Sequence, residues 1–336
     1  MSQPRFRRLA AAGLAAAALF AVSACSASDD GGSEGGGSDG AAADTVQIGV
    51  LQFVQHPALD AATEGFKEAL ADAGIEAEYD DQNAQGEVPN TNTIATTFSN
   101  EDLDLVLTVA TPAAQAAAQA IVDTPVLFTA VTDAEAAGLV DSNDAPGANV
   151  TGTSDLNPVA DQLALLAEIA PDAESVGIVY SSGEVNSEVQ VDLAKEAAAE
   201  LGLTIEEATV SNSAEVQQAT QSLGDVDAIY VPTDNTVVSG IAALIQVAEQ
   251  NGIPVVTGDA GPVENGAIAT VGIDYGKLGY QTGEMAAAIL QDGADPAEMP
   301  VETSNDVELI INPAAADRMG VELPASVTDR ADRVIE

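Results

Sequence analysis

One α/β pattern occurs twice in this chain of 336 residues, and that repetition constrains the fold more than any other feature. In the first pass, apolar runs at 46–51, 75–79, 103–108 and 125–128 read as strands. They alternate with helical spacing over 57–73, 92–99 and 113–121, and Gly74 supplies a left-handed stop for the first helix. The second pass places strands at 175–180, 204–208, 226–231 and 254–256, with helices over 189–201, 214–223 and 237–250. Gly49 aligns with Gly177, Asp104 with Asp227 and Pro125 with Pro254. A further helix over 277–290 and a strand at 308–311 follow the second pass.

Strands that are apolar almost throughout, separated by amphipathic helices, imply parallel sheets covered on both faces. Two such sheets give an α/β fold of two similar doubly wound lobes joined by a hinge. The expected division is 45–155 plus 276–302 for lobe 1 and 156–275 plus 303–336 for lobe 2. A folded part of about 290 residues agrees with two cores rather than one.

Ligands of open parallel sheets bind at the carboxyl ends of the strands. The strand-end segments therefore supply the candidate site: Gln52, Phe53 and His56; Thr111; Thr129, Thr132 and Asp133; Asn186; Thr233, Asp234 and Asn235; Asp259; Asp274 and Tyr275. These residues suit hydrogen bonding to a small polar molecule. Thr111-Pro112 reads as an N-cap followed by proline at the first helical position, and a helix start facing a cleft can take a carboxylate. Its plainer reading is a cap with nothing bound. Asp234, Asp259 and Asp274 could take an ammonium or a hydroxyl, or could simply cap helices. Phe53 and Tyr275 offer surfaces for an aromatic ligand, or core packing. His56 is the only His and has no partner His or Cys, so no metal site is expected, and no cofactor either.

The first 24 residues have the layout of a secretory signal: Arg5, Arg7 and Arg8, then an apolar run from Leu9 to Ala24. The end of that run, Val22-Ser23-Ala24-Cys25, resembles the lipobox of bacterial lipoproteins, which implies a diacylglycerol on Cys25 and cleavage before it. Cys25 is the only Cys, so it has no internal disulfide partner. Residues 25–44 then form an expected Gly-, Ser- and Asp-rich linker. The expected location is the extracytoplasmic face of a cell membrane, held there by lipid.

Charge narrows the partners further. Nine basic residues against 54 acidic ones give a net charge of −45, and loss of Arg5, Arg7 and Arg8 with the signal takes it to −48. Such a surface repels nucleic acid.

The strand-end segments, taken together, resemble the ABC-transporter substrate-binding family whose members include binders of tryptophan and related amino acids. The strings that carry the resemblance are QFVQHPALDAATEGF (52–66), TPAAQA (111–116), FTAVTDAEAAGLV (128–140), NVTGTSDL (149–156), VSNSAEVQQATQSL (210–223), YVPTDNTV (230–237), PVVTGD (254–259) and GIDYGKLGYQTGEMAA (272–287). The loop Tyr180-Ser181-Ser182-Gly183-Glu184 departs from the Tyr-Asn-Pro-Gly-Glu associated with relatives. The resemblance implies the type I periplasmic-binding-protein fold, capture of a ligand between hinged lobes, and delivery to a membrane permease and its ATPase; a helix start and facing acids suit a zwitterion, so an amino acid, aromatic or not, is the expected ligand, with a nucleoside or another small polar metabolite as the alternative. A ligand sensor that presents its closed form to a membrane receptor shares the same features, and a cleft hydrolase using paired carboxylates is a third reading. Metalloprotease H-E-x-x-H and Walker sequences are absent, and a binder rather than an enzyme is expected.

Self-repulsion at this charge weakens as salt screens it. The acidity is one expected mark of adaptation to high salt, in which case the melting temperature rises between low and molar NaCl; a flat response across that range would refute that adaptation.

Overall fold

A computed structural model describes residues 45–304 and 306–335. The signal at 1–24, Cys25 and the linker at 25–44 lie outside the described residues. The first lobe is built from β1 (Val46–Gln52), α1 (Pro57–Asp72), β2 (Ala77–Asn83), α2 (Val88–Phe98), β3 (Leu105–Val109), α3 (Thr111–Ala120), β4 (Val126–Val131) and β5 (Val150–Ser154). The second follows with α4 (Val159–Ile169), β6 (Ser175–Ser181), α5 (Val185–Leu201), β7 (Thr204–Val210), α6 (Val216–Ser222), β8 (Ala228–Val231), α7 (Asn235–Ser239), α8 (Ile241–Asn251), β9 (Val255–Thr257), α9 (Ala260–Glu264) and β10 (Ala269–Ile273). The chain then runs through α10 (Tyr275–Asp292), β11 (Glu302–Thr303), β12 (Val307–Ile311), α11 (Pro313–Arg318), α12 (Ala325–Thr328) and β13 (Arg333–Val334).

The first sheet has the order β11-β5-β4-β3-β1-β2 and is parallel throughout. The second has the order β13-β12-β10-β9-β8-β6-β7, with β12 antiparallel to β10. The two lobes are therefore doubly wound α/β units, and the chain passes between the sheets after β5, after β10 and after β11.

The aligned residues of the two passes do the same physical work. A Cβ on Gly49 would sit 2.8 Å from the Leu103 side chain, and one on Gly177 would sit 2.7 Å from the Leu223 side chain. Asp104 accepts from the Gln47 N–H at 2.8 Å, and Asp227 accepts from the Ser175 N–H at 2.9 Å. The carbonyls of Pro125 and Pro254 accept from Val106 and Ile229, each at 2.9 Å. Each lobe has its own core, around Phe66, Phe98 and Phe128 in the first and around Tyr230 and Leu163 in the second. Burying each such side chain contributes about 1.5–3 kcal/mol.

Several elements depart from the pattern read in the sequence. β2 lies at 77–83 rather than 75–79; it is an edge strand paired on one side only, so its AEYDDQN sequence carries no apolar signal. The expected helix over 237–250 breaks into α7 and α8 at Gly240, where a Cβ would come within 2.9 Å of the Ser213 carbonyl oxygen. β5, α4 and β10 were not among the expected elements; the two strands are Thr- and Gly-containing, VTGTS and ATVGI, and mimic loops. Thr111 is not the N-cap of α3. That place belongs to Ala110, at φ 83°, and Thr111 is the first helical residue.

α10 returns from the second lobe to pack on α1 through small residues. A Cβ on Gly279 would lie 1.9 Å from the Ala62 carbonyl oxygen, and one on Gly65 would lie 2.1 Å from that of Gly276. Backbone cannot yield as a side-chain end can, so overpacking here forces the helices apart. Gly279→Val is expected to destabilise the protein by about 1–3 kcal/mol or more in urea unfolding; a shift below about 0.5 kcal/mol would refute the close contact.

Candidate functional site

The carboxyl ends of both sheets face a common space. At its centre the walls leave a gap of about 10 Å³, on the scale of one water molecule. Larger clefts of about 420 and 610 Å³ flank it, sharing Asp259 and Tyr275 with the gap on one side and Asn235 on the other. His56, Thr132, Asn186, Thr233, Asn235, Asp259 and Tyr275 all line the gap, so seven of the candidates converge. Leu59, Ala130, Val238 and Asp155 complete the wall.

One end of the gap is acidic. Asp155, in the crossover after β5, accepts from Tyr275 Oη at 2.7 Å and from Thr132 Oγ1 at 3.0 Å. Burial pushes its carboxyl up, against the lowering effect of those bonds, and the Tyr275 phenol is raised by burial and by the neighbouring carboxylates. Asn157 ties the same crossover to the next by accepting from Ile273 N at 3.0 Å. Asp259 caps α9 through Gly261 N at 2.8 Å and is pushed up to about 7 by burial. Among the described residues neither Asp155 nor Asp259 has an ion-pair partner, because Lys67, Lys195, Lys277, Arg318, Arg330 and Arg333 pair with other acids.

The other end is neutral and is held by two carboxylates behind it. Glu184 accepts from Asn235 Nδ2 at 2.6 Å and from Thr236 Oγ1 at 2.7 Å. Asp234 accepts from Val237 N at 2.7 Å, and from Ser181 N and Ser187 Oγ at 2.6 Å each. Burial, then the charge of Glu184, raises the Asp234 carboxyl. His56 reaches across from the first lobe, its Nε2 lying 3.4 Å from Asn235 Oδ1. Burial lowers its pKa to about 4, so the ring is neutral. His56 Nδ1, Asn186 Oδ1, Thr233 Oγ1 and Thr111 Oγ1 are buried and lack a hydrogen-bond partner among the described residues. Buried polar atoms are ordinarily paired, and three of these four belong to residues that line the gap, His56, Asn186 and Thr233.

The remaining candidates stand elsewhere. Asp234 faces inward, its oxygens engaged by its own lobe, so the reading of it as an ammonium acceptor is replaced by that of a cap. Asp274 caps α10 through Gly276 N and Lys277 N and borders the 420 Å³ cleft. Asp133 caps a turn through Ala136 N. Thr129 belongs to a buried chain of hydroxyls with Thr153 and Thr282 inside the first lobe. Gln52 bonds to Val54 O, Asp60 and Thr63, and with Phe53 edges the 610 Å³ cleft. Thr111 is buried but does not line the gap; Ala110 N donates to Thr129 O, which sets the start of α3 beside the strand end that carries Ala130.

Asp155 and Glu184 were absent from the candidates. Asp155 follows β5, a strand whose sequence did not declare itself, although it lies within the NVTGTSDL string. The non-glycine residues with left-handed φ among those described are Gln85, Ala110 and Ala130, at 58°, 83° and 56°. All stand at or near the carboxyl ends of first-lobe strands, and such strain clusters at functional sites.

Residues 47–335 match the family described as ABC transporter substrate binding protein. The chain belongs to that family. This substrate-binding protein is 43% identical over 270 residues to a protein named tyrosine-binding protein from Clostridioides difficile, covering 79% of this chain and 78% of the relative. It is 37% identical to a Streptococcus pneumonia structure in complex with L-Trp, with a TM-score of 0.84, covering 87% of this chain and 100% of the other. Against a ligand-free, open substrate-binding protein with adhesive properties from Clostridium difficile, identity is 44% and TM-score 0.65, covering 86% and 99%. Distant neighbours, including a leucine-binding protein from Thermotoga maritima at 16% identity and TM-score 0.57, share the type I periplasmic-binding fold. Among the described residues no helix is long and apolar enough to cross a membrane.

Asp259 allows a direct check of the buried charge. Its folded pKa of about 7 lies above the unfolded value of 3.8, so the stability it contributes is complete below pH 4 and is lost as pH rises through 7. Asp259→Asn keeps the cap acceptor and removes the charge. Relative to the native protein it is expected to gain roughly 4 kcal/mol between pH 4 and pH 8, about 1.4 kcal/mol per unit. Parallel stability curves for the two proteins would refute a buried, ionising Asp259.

Proposed function

We propose that this chain captures an aromatic amino acid between its lobes and delivers it, from a lipid anchor on Cys25 outside the membrane, to an ABC permease and its ATPase. The observation that carries the amino-acid reading is the pair of buried acids, Asp155 and Asp259, lining the gap with no cation among the described residues to answer them. An ammonium answers them, since a buried charge is tolerated when paired. The Thr111 hydroxyl does not line the gap as it stands, but it is unpartnered at the start of ten-residue α3, beside the strand end that carries Ala130 of the gap wall, and with the walls wider it supplies a donor for the carboxylate of the same zwitterion, aided by the helix dipole. The relatives named for tyrosine and solved with L-Trp support a ring on the side chain. His56, Thr132, Asn186, Thr233, Asn235 and Tyr275 surround it, with Gln52 and Phe53 at the entrance.

The bodies that move are residues 45–155 with 276–302 and residues 156–275 with 303–336. A ring needs more room than 10 Å³, so the ligand enters with the lobes apart and holds the walls slightly wider than they stand here. Because it contacts both lobes only when they close, binding shifts the population to the closed form, which the permease recognises.

Calorimetry with L-tyrosine, L-tryptophan and L-phenylalanine tests the reading; no heat from any of them would refute it. The ammonium requires ionised Asp259, so below pH 7 binding must expel a proton from it. Affinity is expected to weaken from pH 7.5 to 5.5 by up to about tenfold per unit. A Kd constant over that range would remove Asp259 from the ammonium's partners.

A further inference from the structure

We infer that His56, Asn186 and Thr233 form a subsite that reads a hydrogen-bond donor on the far end of the ligand's side chain, so that the protein selects a phenolic amino acid over a phenyl one. This deepens the amino-acid reading above and rests on it.

The chemistry of the three unpartnered atoms follows from what their neighbours already do. Asn235 Nδ2 donates to Glu184, so the Asn235 oxygen is the atom that faces His56. His56 Nε2 must then carry the hydrogen and donate. The ring is neutral, held so by burial, and Nδ1 is left as a bare acceptor. Asn186 Nδ2 is within reach of Thr233 O at 3.2 Å and of Glu184 and Ser187 at 3.3 Å each. That fixes the amide with Oδ1 turned away from them as a second acceptor. Thr233 uses its main chain, donating from N to Gln190 Oε1 at 3.0 Å, and leaves Oγ1 unpaired.

Two acceptors and one hydroxyl therefore converge, with no positive charge among them. A carboxylate would meet the two acceptors head on, so this subsite does not take the carboxylate of the zwitterion. The gap wall is also apolar at Leu59, Ala130 and Val238, as a ring requires. A phenol O–H donates to His56 Nδ1 or Asn186 Oδ1 and accepts from Thr233 Oγ1. An indole N–H donates to one acceptor and gives Thr233 nothing. A phenyl ring leaves all three atoms buried and unpaired, and sites built to bond a hydroxyl reject the analogue lacking it strongly.

The test is calorimetry of the purified protein with the same three amino acids at pH 7.5. L-Tyrosine is expected to bind at least about 100-fold more tightly than L-phenylalanine, with L-tryptophan between them. Thr233→Val, which deletes a hydroxyl that makes no bond in the structure, is expected to cut the tyrosine-to-phenylalanine ratio about tenfold. Thr233→Ser, which restores the hydroxyl, is expected to recover it, with thermal melting confirming that both variants fold. Equal affinities for tyrosine and phenylalanine overturn the subsite while leaving the amino-acid reading in place, as does a ratio unchanged in Thr233→Val. Failure to bind any of the three overturns the amino-acid reading and the subsite together.

Discussion

The hydrogen bonds to Asp155 hold the architecture together. A carboxylate buried where the chain leaves the first sheet would be costly alone, and Tyr275 and Thr132 make it tolerable by donating to it. Tyr275 begins the helix that follows the second crossing between the lobes, so one short bond locks two crossings together. Asn157 fastens the same pair through the Ile273 N–H.

The electrostatics of the cleft follow from the same constraint. The chain has few cations, and those among the described residues sit at the surface in pairs with other acids, where such pairs contribute little to stability. None is available to neutralise the acidic end of the gap. At the opposite end, Asp234 and Glu184 stand behind the wall and orient Ser181, Ser187, Asn235 and Thr236. Carboxylates thus have two roles in one cleft. Those whose oxygens are occupied by backbone and hydroxyl donors build the wall, and those left partly open face the space it encloses.

Much of the fold was legible because burial on both faces leaves a mark on a parallel strand. β1, β3, β6 and β8 read as apolar runs, and the aligned pairs Gly49 with Gly177 and Asp104 with Asp227 turned out to have the same packing and bonding. Elements whose stability comes from elsewhere were harder to read. β2 is polar because its outer edge is unpaired, and β5 is rich in Thr because its hydroxyls bond to Thr129, Thr282 and a backbone carbonyl within the lobe. The site followed the same division. Residues just past a clear strand, such as His56, Thr233 and Asn235, could be named from the sequence and line the gap, whereas Asp155 lay past a strand that looked like a loop.

By itself the sequence determined the α/β class, the duplication and the residues at the strand ends, since these depend on hydrophobic periodicity and local turn chemistry. The tertiary structure alone decided which strand-end residues face the cleft. Asp234 and Asp259 read identically as acids after strands, yet one is turned into its own lobe to cap and brace, and the other lines the gap. That difference arises from which donors packing brings within 3 Å of each carboxylate, and those donors lie up to 53 residues away in the chain.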